Sequence, residues 1–133
     1  MININVGALV GKLVTEMDKV VIGYASIKRL SIAALLSDNH VLLEGLPGTA
    51  KSLFVEVFQA AVSDSHSGRI QMTADVKPMD IIGVKVFNQA TGKFDIELGP
   101  LPDKNFVLVD EINRAPGKSL SSVLSAMQAR RVY

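Results

Sequence analysis

Apolar residues recur at every third or fourth position in four stretches of the chain, and this spacing predicts amphipathic helices. The predicted helices cover residues 5–18, residues 26–36, a segment that begins at Lys51, and a last segment around Leu120–Met127 that runs to the end of the sequence. Pro78–Asp80 is predicted to open one further helical turn, because proline fits the first turn of a helix.

Runs of consecutive apolar residues between these helices predict buried strands, since strands that are covered on both faces do not alternate. Such runs occupy His40–Glu44 and Phe106–Val109, and Arg69–Met72 is a third predicted strand. Lys85–Phe87 and Phe94–Ile96 flank a short glycine-containing loop, as the strands of a β-hairpin do. Strands that alternate with helices indicate an α/β domain with a parallel sheet.

The composition of the 133-residue chain fits one globular domain or part of one. There is no cysteine, which excludes disulfides and thiolate metal sites. The net charge of +1 does not favour a nucleic-acid or membrane partner. No apolar run approaches the roughly 20 residues of a membrane-spanning helix, and the N-terminus does not resemble a signal peptide, so we expect a cytoplasmic protein.

A glycine-rich loop, EGLPGTAKS at Glu44–Ser52, lies between a predicted strand and a predicted helix, which is the context of a phosphate-binding loop. Gly45 and Gly48 permit positive φ angles, so that successive backbone N–H groups can converge on one point. The helix that begins at Lys51 adds the positive end of its dipole. Lys51 is then expected to reach the β- and γ-phosphates, and the Ser52 hydroxyl to ligate Mg²⁺.

The loop departs from the pattern G-x-x-x-x-G-K-[ST] at one position, because Ala50 stands where a second glycine is usual. The alternative interpretation of the loop is a Gly/Pro turn with a solvated lysine ahead of a helix.

Two adjacent carboxylates, Asp110 and Glu111, follow the predicted strand Phe106–Val109. Ligands of open α/β sheets bind outside the carboxyl ends of the strands, and the strand that ends at Glu44–Gly45 is expected at the same edge. Asp110 can hold Mg²⁺, and Glu111 can polarise a water molecule for attack on the γ-phosphate. The alternative is a solvated turn or the N-cap of the following helix.

Three segments together resemble the MoxR family of AAA+ ATPases: GLPGTAKS from Gly45, residues 69–101, and VLVDEINRAPGKSLSSVLSAMQ from Val107. The resemblance runs over nearly the whole chain, and the DEINRAP run is more specific than the loop. It implies a P-loop NTPase fold of the AAA+ type, with a parallel sheet flanked by helices and an inserted β-hairpin. Tyr24 departs from the family, in which glutamine is usual, and Ser125 and Ala129 replace usually acidic residues.

The resemblance also implies a nucleotide site for ATP and Mg²⁺. Its cofactor-binding residues would be Val21, Ile22 and Gly23 at the adenine and Gly45, Leu46, Pro47, Gly48, Thr49, Ala50, Lys51 and Ser52 at the phosphates. Ser52 and Asp110 would hold the metal, while Lys51 and Glu111 would be catalytic. For Val21–Gly23, a helix that ends in a buried turn explains the residues equally well.

The predicted hairpin, residues 84–98, resembles an insertion that faces the central channel of a homo-oligomeric ring and touches a protein client. A surface hairpin without a partner is the alternative. The implied function is ATP binding and hydrolysis with chaperone-like remodelling of the client. The alternatives are a scaffold that binds ATP without turnover and a DNA-remodelling AAA+ protein, against which the near-neutral charge and the acidic segment Asp95–Glu97 argue.

By the same resemblance, residues 1–133 are the N-terminal portion of an AAA+ large subdomain. Three parts of the complete subdomain are expected to be absent from this segment: the strand with the polar sensor, the arginine finger, and the helical lid. In the usual strand order, the sensor strand lies between His40–Glu44 and Phe106–Val109. We therefore expect this segment, expressed alone, to aggregate or to remain loosely packed without ATPase activity.

Overall fold

The computed structural model of the chain describes residues 5–132, and the chain divides into two compact units between Asp64 and Ser65. Residues 1–4 and Tyr133 lie outside the described residues. The last helix was predicted to run to the end of the sequence, but it ends at Ala129. No helix in the described part of the chain is long and apolar enough to cross a membrane.

Three helices make up most of the first unit: α1 (Val6–Asp18), α2 (Ala25–Leu36) and α3 (Lys51–Ala61). α1 begins at an N-cap, where the Asn5 side-chain oxygen accepts a hydrogen bond of 3.1 Å from the backbone N–H of Ala8. α1 contacts both α2 and α3. The buried apolar residues of this unit are Met17, Val21, Ile32, Phe54 and Phe58. The three helices predicted for this part of the sequence are therefore confirmed.

A buried lysine joins the end of α1 to α2. The Lys28 side chain is fully buried, and its Nζ donates to the Asp18 carboxylate at 2.5 Å and to the backbone carbonyl of Val21. A buried ammonium group is tolerated only when it is paired and hydrogen-bonded, so these contacts fix the segment between the two helices. That segment ends at Tyr24, which has a left-handed φ of 56°.

Residues 39–46, between α2 and the glycine-rich loop, form neither helix nor strand, so the predicted strand His40–Glu44 is wrong for this structure. A strand depends on hydrogen bonds to a neighbouring strand, and no segment among residues 5–132 pairs with this one. Val41 and Leu42 are consequently exposed, although their apolar character was the basis of the prediction.

The second unit contains two sheets of two strands and two helices. In chain order its elements are β1 (Ser67–Gln71), α4 (Pro78–Ile82), β2 (Gly83–Asn88), β3 (Lys93–Leu98), β4 (Phe106–Asp110) and α5 (Gly117–Ala129). β1 and β4 pair in parallel, which confirms the predicted parallel sheet. The pairing already begins at Ser67, two residues before the predicted strand Arg69–Met72.

The core of the second unit is a cluster of four buried apolar residues, Ile70, Met72, Ile81 and Val123. They come from β1, the residue after it, α4 and α5, so these elements pack on one another. The buried Ser119 of α5 donates a hydrogen bond of 2.6 Å to the backbone carbonyl of Val76. β4 contributes Val107 and Val109 from the periphery of this cluster.

β2 and β3 form the predicted antiparallel hairpin, and its base is attached closely to α4. A Cβ atom at Gly83 would lie 2.2 Å from the Glu97 carbonyl oxygen, and one at Gly99 would lie 2.3 Å from the Ile81 carbonyl oxygen. The Gly99 N–H donates to the Ile82 carbonyl at 3.0 Å. Because Ile81 is fully buried, this hairpin base (Gly83 and Gly99) is anchored to the core.

The turn of the hairpin, residues 89–92, is closed by Asn88. The Asn88 side-chain oxygen accepts hydrogen bonds from the backbone N–H groups of Ala90 at 3.0 Å and Thr91 at 3.3 Å. Gly92 has a φ of 66°, and a Cβ atom there would have nothing within 4 Å. The turn is therefore held locally and is surrounded by open space.

Candidate functional site

The glycine-rich loop of the first unit turns directly into α3. Gly48 has a φ of 79° and Ala50 a φ of 53°, so both residues adopt the left-handed conformation. Ala50 is the N-cap of α3, and its side chain makes no capping hydrogen bond. The first turn of α3 therefore presents the positive end of the helix dipole to the loop without a capping side chain.

The two glycines of the loop act differently. The positive φ predicted for Gly48 is confirmed, whereas Gly45 has no positive φ and that part of the prediction is wrong. A Cβ atom at Gly45 would lie 3.3 Å from Thr49 Oγ1 and 3.8 Å from Lys51 Cδ. A side chain at Gly45 would therefore press on the Thr49 hydroxyl and touch the Lys51 side chain, so Gly45 leaves room for both.

The Lys51 ammonium group lies over the loop. Its Nζ donates hydrogen bonds of 2.8 Å to the backbone carbonyls of Gly45 and Leu46, and Thr49 Oγ1 is 3.4 Å away. The Thr49 hydroxyl itself donates to the Leu46 carbonyl at 2.8 Å. All of these partners are neutral oxygen atoms, so they position the charge of Lys51 without cancelling it. This concentration of positive potential suits an anion.

A cavity of about 180 Å³ adjoins the loop. It is lined by Tyr24, Ile27, Leu43, Glu44, Gly45, Thr49, Lys51 and Phe54. The Tyr24 hydroxyl donates a hydrogen bond of 3.3 Å to the Thr49 carbonyl, which connects the segment before α2 to the loop. Apolar walls with a few polar groups at one end are typical of small-molecule sites.

The three residues predicted to surround an adenine do not line this cavity. Val21 is buried and its carbonyl accepts from Lys28, Ile22 is 88% exposed, and Gly23 has a φ of 84°. Their proposed contact with the base stays a prediction. Tyr24, which does line the cavity, was noticed in the sequence only because it departs from the glutamine of the resembling family.

The carboxylate of Asp110 lies at the carboxyl end of β4 in the second unit. Its Oδ2 accepts a hydrogen bond of 3.1 Å from Arg69 Nη2, and its Oδ1 accepts one of 3.1 Å from the backbone N–H of Glu111. The parallel register sets Asp110 opposite Gln71, so Arg69, two residues earlier on β1, lies on the same face of the sheet. Arg69 was not predicted, because register cannot be read from one sequence.

Glu111 turns away from the strand direction. It has a left-handed φ of 53° and precedes a single 3₁₀ turn at Ile112–Arg114. Its Oε2 is 3.1 Å from Arg114 Nη1. Glu111 occupies the N-cap position of this turn, as the alternative interpretation predicted for the Asp-Glu pair, but its side chain makes no capping hydrogen bond. The two adjacent carboxylates therefore have different arginine partners and are directed differently.

Mg²⁺ is coordinated by oxygen atoms, which in this chain would come from acidic and hydroxyl side chains. Among residues 5–132, no three His, Asp or Glu side chains gather as a protein-only metal cluster would. Mg²⁺ is usually held by one or two carboxylates together with substrate phosphates and waters. A single strand-end carboxylate such as Asp110 fits this kind of coordination.

These features match a known family. A family model for ATPases associated with various cellular activities (AAA) matches residues 40–133, and the chain belongs to this family. More particularly, it is MoxR-like: it is 46% identical over 121 residues to Chaperone MoxR1 of Mycobacterium tuberculosis. The resemblance to MoxR proteins and the AAA+ fold class predicted from the sequence are therefore confirmed.

Other relatives agree with this assignment. The chain is 41% identical over 120 residues to the uncharacterized protein YeaC of Bacillus subtilis. A solved structure of a Cytophaga hutchinsonii protein, provisionally called an ATPase, has a TM-score of 0.76 and 38% identity over 93% of this chain. The match to MoxR1 covers 91% of this chain and 32% of MoxR1, and the match to YeaC covers 90% of this chain and 37% of YeaC. The structural match covers 37% of the Cytophaga chain. The chain thus spans about a third of the length of the relatives it matches.

Proposed function

We propose that this chain binds Mg·ATP and that the protein to which it belongs hydrolyses it as a MoxR-like AAA+ ATPase with chaperone-like remodelling of a protein client. The observation that supports this most is the position of the Lys51 ammonium group. It lies over a glycine-rich loop at the start of α3, 2.8 Å from two loop carbonyls that are neutral.

Binding of phosphate at this loop would exchange weak partners for strong ones. The ammonium group already makes charge-assisted hydrogen bonds to the loop carbonyls, but a phosphate oxygen also carries negative charge and adds a direct Coulombic attraction. Lys51 can therefore leave the Gly45 and Leu46 carbonyls, which are exposed and can be hydrated. The backbone N–H groups at the start of α3 would complete the contact to the phosphates.

The remaining roles follow from the residue chemistry. Ser52 and Asp110 would hold Mg²⁺, which supplies neutralising charge to the β- and γ-phosphates when it is bound. Arg69, 3.1 Å from Asp110, would keep that carboxylate oriented. Glu111 would accept a proton from the attacking water, which requires its carboxylate to leave Arg114 or to act beside it.

The second candidate function, ATP binding without turnover, is favoured by one contact. The Glu111 carboxylate is engaged by Arg114 at 3.1 Å, and an oxygen atom that is occupied by an arginine is less available to an attacking water. The assembly into a homo-oligomeric ring and a cytoplasmic location are further proposals, which rest on the relatedness to MoxR proteins. We also assign residues 1–133 to the AAA+ large subdomain, with residues 84–98 as its hairpin insertion.

Replacement of Lys51 by alanine tests the phosphate site. In the full-length protein, Lys51→Ala should weaken Mg·ATP binding by about 10- to 150-fold, which corresponds to roughly 1.5–3 kcal/mol for a lost charge-assisted contact. The fold should persist, since the hydrogen bonds that are lost go to exposed carbonyls. Titration of a fluorescent ATP analogue measures the affinity, and circular dichroism measures the fold.

Lys118→Ala is the matched control, because Lys118 is an exposed lysine at the start of α5 in the other unit. It should bind ATP as the parent does. Equal affinity in the parent, Lys51→Ala and Lys118→Ala would mean that the loop does not bind the nucleotide phosphates.

A further inference from the structure

Tyr24 connects the segment before α2 to the glycine-rich loop by one hydrogen bond. Its hydroxyl donates to the Thr49 carbonyl at 3.3 Å, and its side chain lines the same cavity as Lys51. Tyr24 is 43% exposed, so this contact does not belong to the buried core of the first unit. Its effect falls on the loop.

The backbone of Tyr24 is held in place by α2. Its carbonyl accepts a hydrogen bond of 2.9 Å from the backbone N–H of Lys28. The buried Nζ of the same lysine donates to the Val21 carbonyl, three residues before Tyr24, and to the Asp18 carboxylate. Tyr24 therefore belongs to a fixed segment, and a side chain on such a segment can hold a neighbouring loop in one conformation.

The hydrogen bond from Tyr24 sets the direction of the Thr49–Ala50 peptide. In a planar trans peptide, the carbonyl and the N–H point in opposite directions. Because the Thr49 carbonyl is turned toward Tyr24, the Ala50 N–H points away from Tyr24. No backbone carbonyl among residues 5–132 accepts a hydrogen bond from this N–H. The Ala50 N–H is therefore available to an anion at the start of α3.

Alanine at position 50 makes this peptide direction unfavourable. Ala50 has a φ of 53°, a left-handed conformation that is strained for residues other than glycine. Rotation of the Thr49–Ala50 peptide by half a turn would give Ala50 an ordinary negative φ. The rotated peptide would direct the Ala50 N–H toward Tyr24 and away from an anion. Without the Tyr24 hydroxyl, the rotated conformation is expected to compete with the observed one.

We propose that Tyr24 is a positioning residue for phosphate binding: its hydroxyl holds the Thr49–Ala50 peptide so that the Ala50 N–H can donate to a phosphate beside Lys51. Tyr24 acts through Ala50 and does not itself contact the phosphate. The part of the ligand that it serves is the polyphosphate and not the base. This inference rests on the proposed nucleotide site and adds to it a residue from outside the loop.

Tyr24→Phe in the full-length protein tests the proposal, because it removes only the hydroxyl. Calorimetric titration should show Mg·ATP binding weakened about threefold to fivefold, the effect of one neutral hydrogen bond. Magnesium tripolyphosphate, a competitor that has no base, should lose affinity by the same factor. Weaker binding of ATP with unchanged binding of tripolyphosphate would mean that the hydroxyl serves the nucleoside, and the proposal would be wrong.

Ala50→Gly separates positioning of the loop from a purely structural role of the hydroxyl. Glycine adopts the left-handed conformation without strain, so the peptide should keep its direction even when the hydroxyl is absent. Tyr24→Phe should therefore weaken ATP binding by less than twofold in the Ala50→Gly background. An equal effect of Tyr24→Phe in the two backgrounds would refute the coupling between these residues.

The matched control is Thr15→Val. It removes another exposed hydroxyl of the first unit that donates to a backbone carbonyl, that of Gly11 at 2.9 Å. Thr15 does not line the cavity, so its replacement should leave the affinities for ATP and tripolyphosphate unchanged. Equal losses of affinity in Tyr24→Phe and Thr15→Val would overturn the proposal.

Lys51→Ala distinguishes failure of this inference from failure of the proposed function. If Lys51→Ala weakens ATP binding and Tyr24→Phe does not, the inference about Tyr24 is wrong and the proposed nucleotide site stands. If Lys51→Ala binds ATP like the parent, the nucleotide site itself is wrong, and the inference about Tyr24 is refuted with it.

Discussion

A single added methyl group at the hairpin base should destabilise the second unit strongly. Gly83 has a φ of 110° and a ψ of −179°, a backbone conformation that is essentially restricted to glycine. In Gly83→Ala the new Cβ atom would lie 2.2 Å from the Glu97 carbonyl oxygen and 2.7 Å from the Gly99 nitrogen. Both neighbours are backbone atoms at the end of β3, so relief of the overlap requires the two strands to separate at the hairpin base.

The expected magnitude comes from two contributions. The unfavourable backbone conformation costs roughly 1–3 kcal/mol, and overpacking of a close contact costs roughly another 1–3 kcal/mol. We therefore expect Gly83→Ala to lower the free energy of unfolding by about 3 kcal/mol or more. Gly92→Ala is the matched control, because Gly92 also has a positive φ but open space around it. It should cost about 1 kcal/mol, from the left-handed conformation alone.

Urea denaturation of the full-length protein measures the loss of stability, and hydrogen exchange at the Gly99 amide shows where it occurs. That amide donates to the Ile82 carbonyl at 3.0 Å, so it should exchange faster in Gly83→Ala and at the parent rate in Gly92→Ala. Equal loss of stability in the two variants, with Gly99 still protected, would refute the close approach of Gly83 to the end of β3.

Two further predictions concern the carboxylates and the buried lysine. Glu111→Gln should retain ATP binding but lower the rate of ATP turnover by about 10²–10⁴-fold, and turnover at the parent rate would exclude Glu111 as the general base. Asp110→Asn should instead raise the Mg²⁺ concentration needed for half-maximal turnover. Asp18→Ala should destabilise the protein by about 3 kcal/mol, since it removes the carboxylate that lies 2.5 Å from the buried Lys28 Nζ. Lys28→Met should lower the free energy of unfolding by less than Asp18→Ala does, because it removes the buried charge itself and leaves a half-exposed Asp18 to water. If thermal or urea unfolding showed Lys28→Met to be the less stable of the two variants, this account of the ion pair would be wrong.

Elements whose stability is local were predicted well from the sequence. The periodic spacing of apolar residues located α1, α2, α3 and α5, and the hairpin followed from two apolar segments around a glycine-containing turn. The failure at His40–Glu44 has a physical cause. An apolar run shows that a segment is suited to burial, but a strand forms only where another strand supplies hydrogen bonds.

For the candidate site, the sequence predicted which residues could bind a nucleotide, but it did not predict which side chains contact one another. The positive φ of Gly48 and the start of α3 at Lys51 followed from the loop pattern. The pairing of Arg69 with Asp110 depends on a strand register that joins residues 41 positions apart, and no local pattern specifies it. The same limitation applies to the Tyr24 contact with Thr49, which depends on how two separate segments fold together.

The contrast between the two ends of the hairpin bears on how its length can change in evolution. The base cannot accept even one additional carbon atom, whereas the turn at residues 89–92 is closed by Asn88 and borders open space. Residues inserted at the turn would extend both strands outward, by about 3.3 Å for each added pair, without altering the register next to the core. The reach of the hairpin is therefore adjustable independently of its attachment, so related chains can acquire longer or shorter hairpins without any compensating change in the domain beneath.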